Sequence, residues 1–207
     1  MAIISEVERI RSRYRICLDT GMKVSLSRAD YAERPLNQGD EIEEEEFSRW
    51  VLLRQYRPAL EKAVSMLAVR ACSQGEIEQR LTRLGYTSDT VEMVICKLKK
   101  EKLINDNEFA HQWAASRAGR HLGPRRISQE LRRKGVSAED TEEAIAGLSE
   151  EQQLEQAVVL AEKAFARSKA GEDPRKTVQR ILTSIVRKGY DWEIARQACE
   201  RIRGLQE

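Results

Sequence analysis

Gly123-Pro-Arg-Arg-Ile-Ser-Gln-Glu-Leu-Arg-Arg-Lys-Gly-Val136 is the stretch of this 207-residue chain that decides its fold. The same unit recurs at residues 73–86 and 173–190, and the three copies align on a glycine near the end of each. The three glycines are Gly85, Gly135 and Gly189. Eight residues before them stand Ile77, Ile127 and Ile181, and four residues before them stand Leu81, Leu131 and Ile185. Ten residues after them stand Ile95, Ile145 and Cys199. One helical module has therefore been repeated three times.

The glycines indicate how large the module is. They lie 50 and 54 residues apart, beyond the period of about 20 to 47 residues that is usual for tight solenoids. Each stands where a helix ends with positive φ, and an apolar residue follows it. We therefore predict a mainly α fold, a tandem array of three three-helix repeats that is elongated and curved. The predicted repeats are 58–110, 111–150 (with the basic helix) and 151–207.

Residues 1–57 have a different pattern. Apolar residues alternate from Tyr14 to Leu18 and from Met22 to Leu26 around a turn that contains Gly21, as in a β-hairpin. Two strands alone are marginally stable, so we expect a third strand or packing on nearby helices. An acidic helix is expected from about Glu43, and Pro58 is expected to begin the next helix. We therefore predict a small α+β N-terminal domain with a β-hairpin.

Composition and motifs argue against an enzyme or a membrane protein. The chain is 41% hydrophobic and 34% charged with a net charge of +2, as in a folded protein with charged helices. Since it has no apolar run of about 18 residues and no signal-peptide pattern, we expect a cytoplasmic protein. Its cysteines form no Cys-x-x-Cys pair, so we expect no metal and no cofactor. No nucleophile with a nearby base and no glycine-rich phosphate loop occurs.

The charges of the second copy are segregated along the chain. The segment 117–134 has a local charge of +6, with Glu130 as its single acid. Its basic residues are Arg117, Arg120, Arg125, Arg126, Arg132, Arg133 and Lys134. Residues 135–162 then contain eight carboxylates and no Lys or Arg. Adjacent helices could pair these charges with each other, but five cations within 125–134 must repel one another, which favours an anionic partner.

The start of the basic helix is a candidate anion site. A helix that opens with Gly123-Pro124 presents free N–H groups and a positive dipole end, which suit phosphate or carboxylate. Arginine binds either anion, so the sequence leaves open whether the partner is DNA phosphate or acidic protein side chains. Arg187 and Lys188, at the end of the corresponding helix in the third copy, complete the set of candidate partner-binding residues.

Three motifs of the helical part carry a specific resemblance. They are Ser73-x-x-Glu76-Ile77-x-x-Arg80-Leu81, then Ile104-Asn-Asp106-x-x-Phe109-Ala110 with Arg117, then Gly123-Pro124-x-Arg126-Ile127-x-x-Glu130-Leu131-x-x-Lys134-Gly135-Val136. Together they resemble the signature of the bacterial RecX regulatory proteins over about residues 58–205, and the hairpin domain is similar to that of longer members. The chain departs from the pattern at Ala71-Cys72 and in the polar sequence from Ser168 to Asp173.

The resemblance implies a function. RecX-like proteins are non-enzymatic and modulate the RecA recombinase, so we expect binding in the groove of the RecA filament on single-stranded DNA, with limits on filament extension, ATP hydrolysis and strand exchange. The expected partners of this monomer are the RecA filament and single-stranded DNA, directly or within the filament. The alternative is a direct DNA-binding protein, since three-helix units with a basic helix resemble helix-turn-helix domains. The acidic stretch at 139–162 would be repelled by bare DNA, which favours the regulator.

Overall fold

The computed structural model describes residues 1–167 and 173–204, and the chain folds as two compact units, 1–105 and 106–207. The strands are β1 (Ala2–Ile10), β2 (Arg13–Leu18), β3 (Lys23–Ser27) and β4 (Glu41–Ile42). The helices are α1 (Arg28–Glu33), α2 (Glu44–Leu67), α3 (Gln74–Arg83), α4 (Ser88–Lys100), α5 (Asp106–Ala118), α6 (Pro124–Arg133), α7 (Ala138–Ala146), α8 (Glu150–Phe165), α9 (Pro174–Arg187) and α10 (Trp192–Gly204). Of the polar stretch noted between Ser168 and Asp173, all but Asp173 lies outside the described residues.

The N-terminal domain is a four-stranded antiparallel sheet in the order β3-β2-β1-β4 with α1 beside it. The predicted hairpin is β2–β3, in which Ile16 lies opposite Val24 and Gly21 has a φ of 89°. The expected third strand is β1, paired to β2. One face of the sheet is buried against Phe47 and Val51 of α2.

Helix α2 belongs to both the sheet domain and the first repeat. Phe47 and Val51 pack on the sheet, whereas Ala59 and Ala63 lie in the core of the first repeat. Pro58 lies inside α2, so the prediction that a helix begins there is wrong. Proline removes one backbone hydrogen bond, but apolar burial on both sides of it holds the helix together.

Three three-helix repeats follow, which confirms the predicted mainly α architecture. The second half of α2 packs with α3 and α4, α5 with α6 and α7, and α8 with α9 and α10. The aligned apolar residues Ile77, Leu81, Ile127, Leu131, Ile181 and Ile185 are buried in three separate cores. After the three central helices, Gly85, Gly135 and Gly189 have φ values of 84°, 77° and 98°, as predicted. Among the described residues, no strand occurs beyond Ile42.

Helix α5 crosses residue 110, where we placed the end of the first repeat. Phe109 and Ala110 pack in one core with Ile127 and Leu131. All of α5 therefore lies within the second compact unit, which begins at Asp106.

A buried glutamine joins the sheet to the first repeat. Gln55 of α2 is 3% exposed. Its Nε2 donates to the carbonyl oxygens of Ser25 and Gly85 at 3.1 and 3.3 Å, and its Oε1 accepts from the Thr87 amide at 2.8 Å and from the Thr90 hydroxyl at 3.2 Å. These bonds connect β3, α2 and the turn between α3 and α4, which explains why residues 1–105 form one unit.

Candidate partner-binding surface

Helix α6 presents arginines to solvent because its apolar residues face inward. Ile127 and Leu131, one turn apart, are fully buried in the core of the second repeat, which leaves the rest of the helix surface to polar side chains. The exposed cations of this helix are Arg125, Arg126, Arg132 and Arg133. Arg120, in the turn after α5, is also exposed.

Arg117 and Lys134 are engaged within the second repeat. Both lie over the ring of Trp113, with Arg117 Cζ 4.1 Å and Lys134 Nζ 4.0 Å from its centre. Glu130 pairs with Arg117 Nε at 2.7 Å and accepts a hydrogen bond from Trp113 Nε1 at 3.2 Å. The Arg117 and Glu130 side chains are only 22% and 20% exposed. These two cations, both among the candidate partner-binding residues, therefore stabilise the repeat through cation–π and ionic contacts.

The N-terminus of α6 is not the open anion site that the sequence suggested. Carbonyl groups at the end of α9 occupy it: the Gly123 amide donates to Lys188 O at 2.9 Å and the Arg125 amide to Gly189 O at 3.0 Å. Pro124 has no N–H, and the Arg126 amide donates to Gly123 O at 3.0 Å. The expectation of free N–H groups is wrong because the negative end of one helix caps the positive end of another.

The arginines of α6 have few carboxylate partners. Arg125 pairs with Asp191 at the start of α10, and Arg126 Nε lies 3.9 Å from Glu130 Oε1. In the part of the chain that the structure describes, Arg132 and Arg133 have no carboxylate partner. The acidic helices α7 and α8 therefore do not neutralise these arginines, which disfavours the interpretation that adjacent helices pair their charges.

Helix α9 extends the basic surface into the third repeat. Arg187 and Lys188 are exposed and, through the carbonyls that hold the start of α6, lie next to that helix. Three further exposed cations, which sequence analysis missed, are Arg175, Lys176 and Arg180. With Arg187 they line a cleft of about 700 Å³ beside α8. The absence of Asp and Glu from residues 174–190 was the available signal. We call the exposed cations of α6, of α9 and of the residue after it the α6–α9 basic surface: Arg125, Arg126, Arg132, Arg133, Arg175, Lys176, Arg180, Arg187 and Lys188.

The structure shows neither a metal cluster nor a membrane span in the residues it describes. Within 1–167 and 173–204, no group of three or more His, Cys, Asp or Glu side chains could hold a metal ion. In the same ranges, no helix is both long and apolar enough to cross a membrane.

Three-helix modules with separate cores define a helical-repeat protein. Family models of the first, second and third three-helix domains of RecX match residues 59–98, 105–145 and 150–199. The chain belongs to the RecX family of regulatory proteins, which confirms the resemblance seen in the motifs.

Named relatives and solved structures agree with this assignment. The regulatory protein RecX of Listeria monocytogenes serotype 4a (strain HCC23) is 30% identical over 197 residues, which cover 94% of this chain and 72% of that protein. That of Clostridioides difficile (strain 630) is 27% identical over 211 residues, covering 100% and 99%. A crystal structure of a regulatory protein RecX, 24% identical, has the same fold, with a TM-score of 0.67 and coverage of 97% and 100%. The crystal structure of RecX from Lactobacillus salivarius, 25% identical, has a TM-score of 0.67 over 72% of this chain and 96% of that one.

Proposed function

We propose that this protein is a non-enzymatic regulator of the RecA recombinase. It binds in the groove of the RecA filament on single-stranded DNA and modulates, mostly by inhibition, filament extension, ATP hydrolysis and strand exchange. The observation that carries the proposal is the α6–α9 basic surface, placed on repeats of the RecX family. Arg132 and Arg133, which have no carboxylate partner among the described residues, suit an anionic surface, because each gives up few protein contacts when it binds.

Direct binding to bare DNA is the second candidate, because the α6–α9 basic surface also suits phosphate. The acidic helices α7 and α8 belong to the same compact unit, and Glu139, Glu142 and Glu155 on them are exposed. A duplex would repel those carboxylates, whereas a protein filament offers charges of both signs. This contrast supports the filament as the principal partner.

ATP hydrolysis by preformed RecA filaments tests the proposal. Unmodified protein should lower the hydrolysis rate, and Arg132→Gln/Arg133→Gln should require at least about tenfold more protein for the same effect, since charge-assisted contacts are lost. The matched control is Lys163→Gln/Arg201→Gln, which removes two exposed cations of the same unit outside the surface. It should act like the unmodified protein.

All four substituted cations are exposed, so both double variants should keep the melting temperature of the parent. No effect of the unmodified protein on hydrolysis would refute the proposed function. An equal loss of inhibition in the two double variants would refute only the role of the α6 arginines and not the proposed function.

A further inference from the structure

A second group of arginines, none of them among the candidate partner-binding residues named from the sequence, lies in the N-terminal unit. A cavity of about 290 Å³ lies between the β1–β2 turn and the end of α3. Its basic lining residues are Arg11, Arg13, Arg15 and Arg83. They come from three elements, the turn, strand β2 and helix α3. Four cationic residues that line one cavity repel one another unless an anion lies among them.

The charges of this cavity are largely uncompensated. Arg15 pairs with Glu8 at 3.1 Å, and both side chains are about half exposed. Among the described residues, Arg11, Arg13 and Arg83 have no carboxylate partner, and no Asp or Glu is among those that line the cavity. A site with three such cations favours a ligand that carries more than one negative oxygen.

Arg13 is held in place before any ligand binds. Its Nε donates to Ser25 Oγ at 2.7 Å and its Nη2 donates to Ser25 O at 2.9 Å. Its guanidinium also lies 5.8 Å from the centre of the Tyr86 ring. The Gln55 hydrogen bond to Ser25 O fixes the same strand on α2. Because these contacts leave Nη1 available, Arg13 presents a donor at little entropic cost.

Arg11 adopts a backbone conformation that favours glycine. Its φ is 56°, in the left-handed region, at the turn that joins β1 to β2. Residues of this kind are sparse outside functional or tightly constrained positions. The conformation places an exposed arginine at the rim of the cavity, where glycine or asparagine would make an easier turn.

We propose that this cavity binds the phosphodiester groups of single-stranded DNA. A guanidinium group donates two parallel hydrogen bonds to phosphate oxygens, and the Ser12 and Ser25 hydroxyls that line the cavity add further donors. Since no aromatic side chain is among the lining residues described, the site holds the backbone and does not stack bases. Binding is therefore independent of base sequence. This proposal does not rest on RecA binding, because the DNA contact is made by the protein alone.

Fluorescence anisotropy with a labelled 20-nucleotide oligothymidylate tests the site without recombinase. Arg11→Gln/Arg83→Gln should weaken binding by about tenfold or more and reduce the slope of log affinity against log salt by about 1.4, or about 0.7 for each phosphate contact. Arg9→Gln/Arg80→Gln is the control, because it removes two exposed cations of β1 and α3 that do not line the cavity. The control should bind within about threefold of the parent. Equal weakening by the two double variants would overturn the proposal.

Arginine footprinting with phenylglyoxal resolves this site from the α6–α9 basic surface. Oligothymidylate should protect Arg11 and Arg83 from modification, read peptide by peptide by mass spectrometry, while Arg9 and Arg80 stay reactive. Inorganic pyrophosphate serves as the second probe. Protection by pyrophosphate at millimolar concentration without protection by oligothymidylate would identify a free phosphate compound as the ligand and overturn the assignment to DNA. Unchanged reactivity of Arg11 and Arg83 with both probes would overturn the site.

Discussion

A methyl group has no room at Gly85 or Gly189. A Cβ at Gly85 would lie 2.4 Å from Ser25 Cβ, and one at Gly189 would lie 2.5 Å from the backbone nitrogen of Arg126. Each glycine therefore ends a helix with positive φ and also lets the preceding module approach closely, β3 in one case and α6 in the other. The repeat pattern predicted the first property, because a C′ glycine is a local feature.

Gly85→Ala should destabilise the N-terminal unit more than Gly39→Ala. Both residues have positive φ, 84° and 92°, but no atom lies within 4 Å of a Cβ at Gly39. The left-handed conformation should cost an alanine about 1 to 2 kcal/mol at either position, and overpacking against Ser25 should add about 1 to 3 kcal/mol at Gly85. Urea unfolding followed by circular dichroism measures both variants. Equal losses of stability would contradict the close approach.

For the charged residues of the second repeat too, the sequence predicts local features but not contacts between separate elements. Counting charges located the basic segment, and Arg126–Glu130 has the i,i+4 spacing that sequence can recognise. Trp113 and Arg117 are likewise four residues apart on α5, but the ion pair of Arg117 with Glu130 joins α5 to α6. Since no local spacing predicts a contact between two helices, the sequence could not separate this structural cation from the exposed arginines.

At the scale of elements, α2 and α6 show how neighbours change what a helix does. Pro58 is a common first residue of a helix, yet α2 continues through it because both halves bury apolar residues. A helix that begins with Gly123-Pro124 commonly has free N–H groups at its N-terminus, yet here carbonyl groups at the end of α9 accept hydrogen bonds from them. Sequence predicted where α6 begins and which of its residues are buried. It could not predict which groups meet the helix end, since these come from a different repeat.

Gln55→Leu should uncouple the sheet from the first repeat. Leucine fills a similar volume but leaves the buried Thr87 amide and the Gly85 carbonyl without the partners that Gln55 supplies, whereas the Ser25 carbonyl keeps its bond from Arg13. Buried polar groups that lose their partners cost about 1 to 3 kcal/mol each, so we expect a loss of about 2 to 5 kcal/mol and a broader urea transition. Arg57→Gln, at an exposed position of the same helix, should change stability by less than about 0.5 kcal/mol. A fully cooperative transition with unchanged midpoint in Gln55→Leu would show that the network does not couple the two parts.

At the scale of the whole molecule, the threefold repetition was readable because each module repeats the same buried positions. Ile77, Ile127 and Ile181 occupy equivalent sites in three cores. Repetition also offers a mechanism: if successive repeats bridge neighbouring recombinase subunits, the protein acts as a stoichiometric clamp. Once one repeat is bound, the next meets its site at an effective concentration near millimolar, which gives an avidity of about 10² to 10⁴ over one module.

The clamp predicts that inhibition begins below one molecule of this protein per recombinase subunit. Deleting the third repeat after Leu148 should lower filament affinity by far more than one third of the contacts would suggest. That truncation also removes the Lys188 and Gly189 carbonyls that hold the start of α6, so Arg187→Gln/Lys188→Gln is the necessary companion. It keeps those backbone groups and should weaken filament binding in the same direction.

Titration of preformed filaments at fixed recombinase, with DNA length and excess varied, separates the clamp from competition for DNA. A clamp that bridges subunits acts on the filament itself, so excess single-stranded DNA should lower inhibition only as far as it binds the protein through the N-terminal cavity, and filaments too short to offer two subunits should bind weakly. Competition predicts that the effect scales with free DNA and vanishes when DNA is in excess. Because Arg11→Gln/Arg83→Gln reduces the proposed contact with free DNA alone, it should make inhibition even less sensitive to added DNA. Inhibition that follows only the free DNA concentration, in the parent and in this variant, would exclude the clamp.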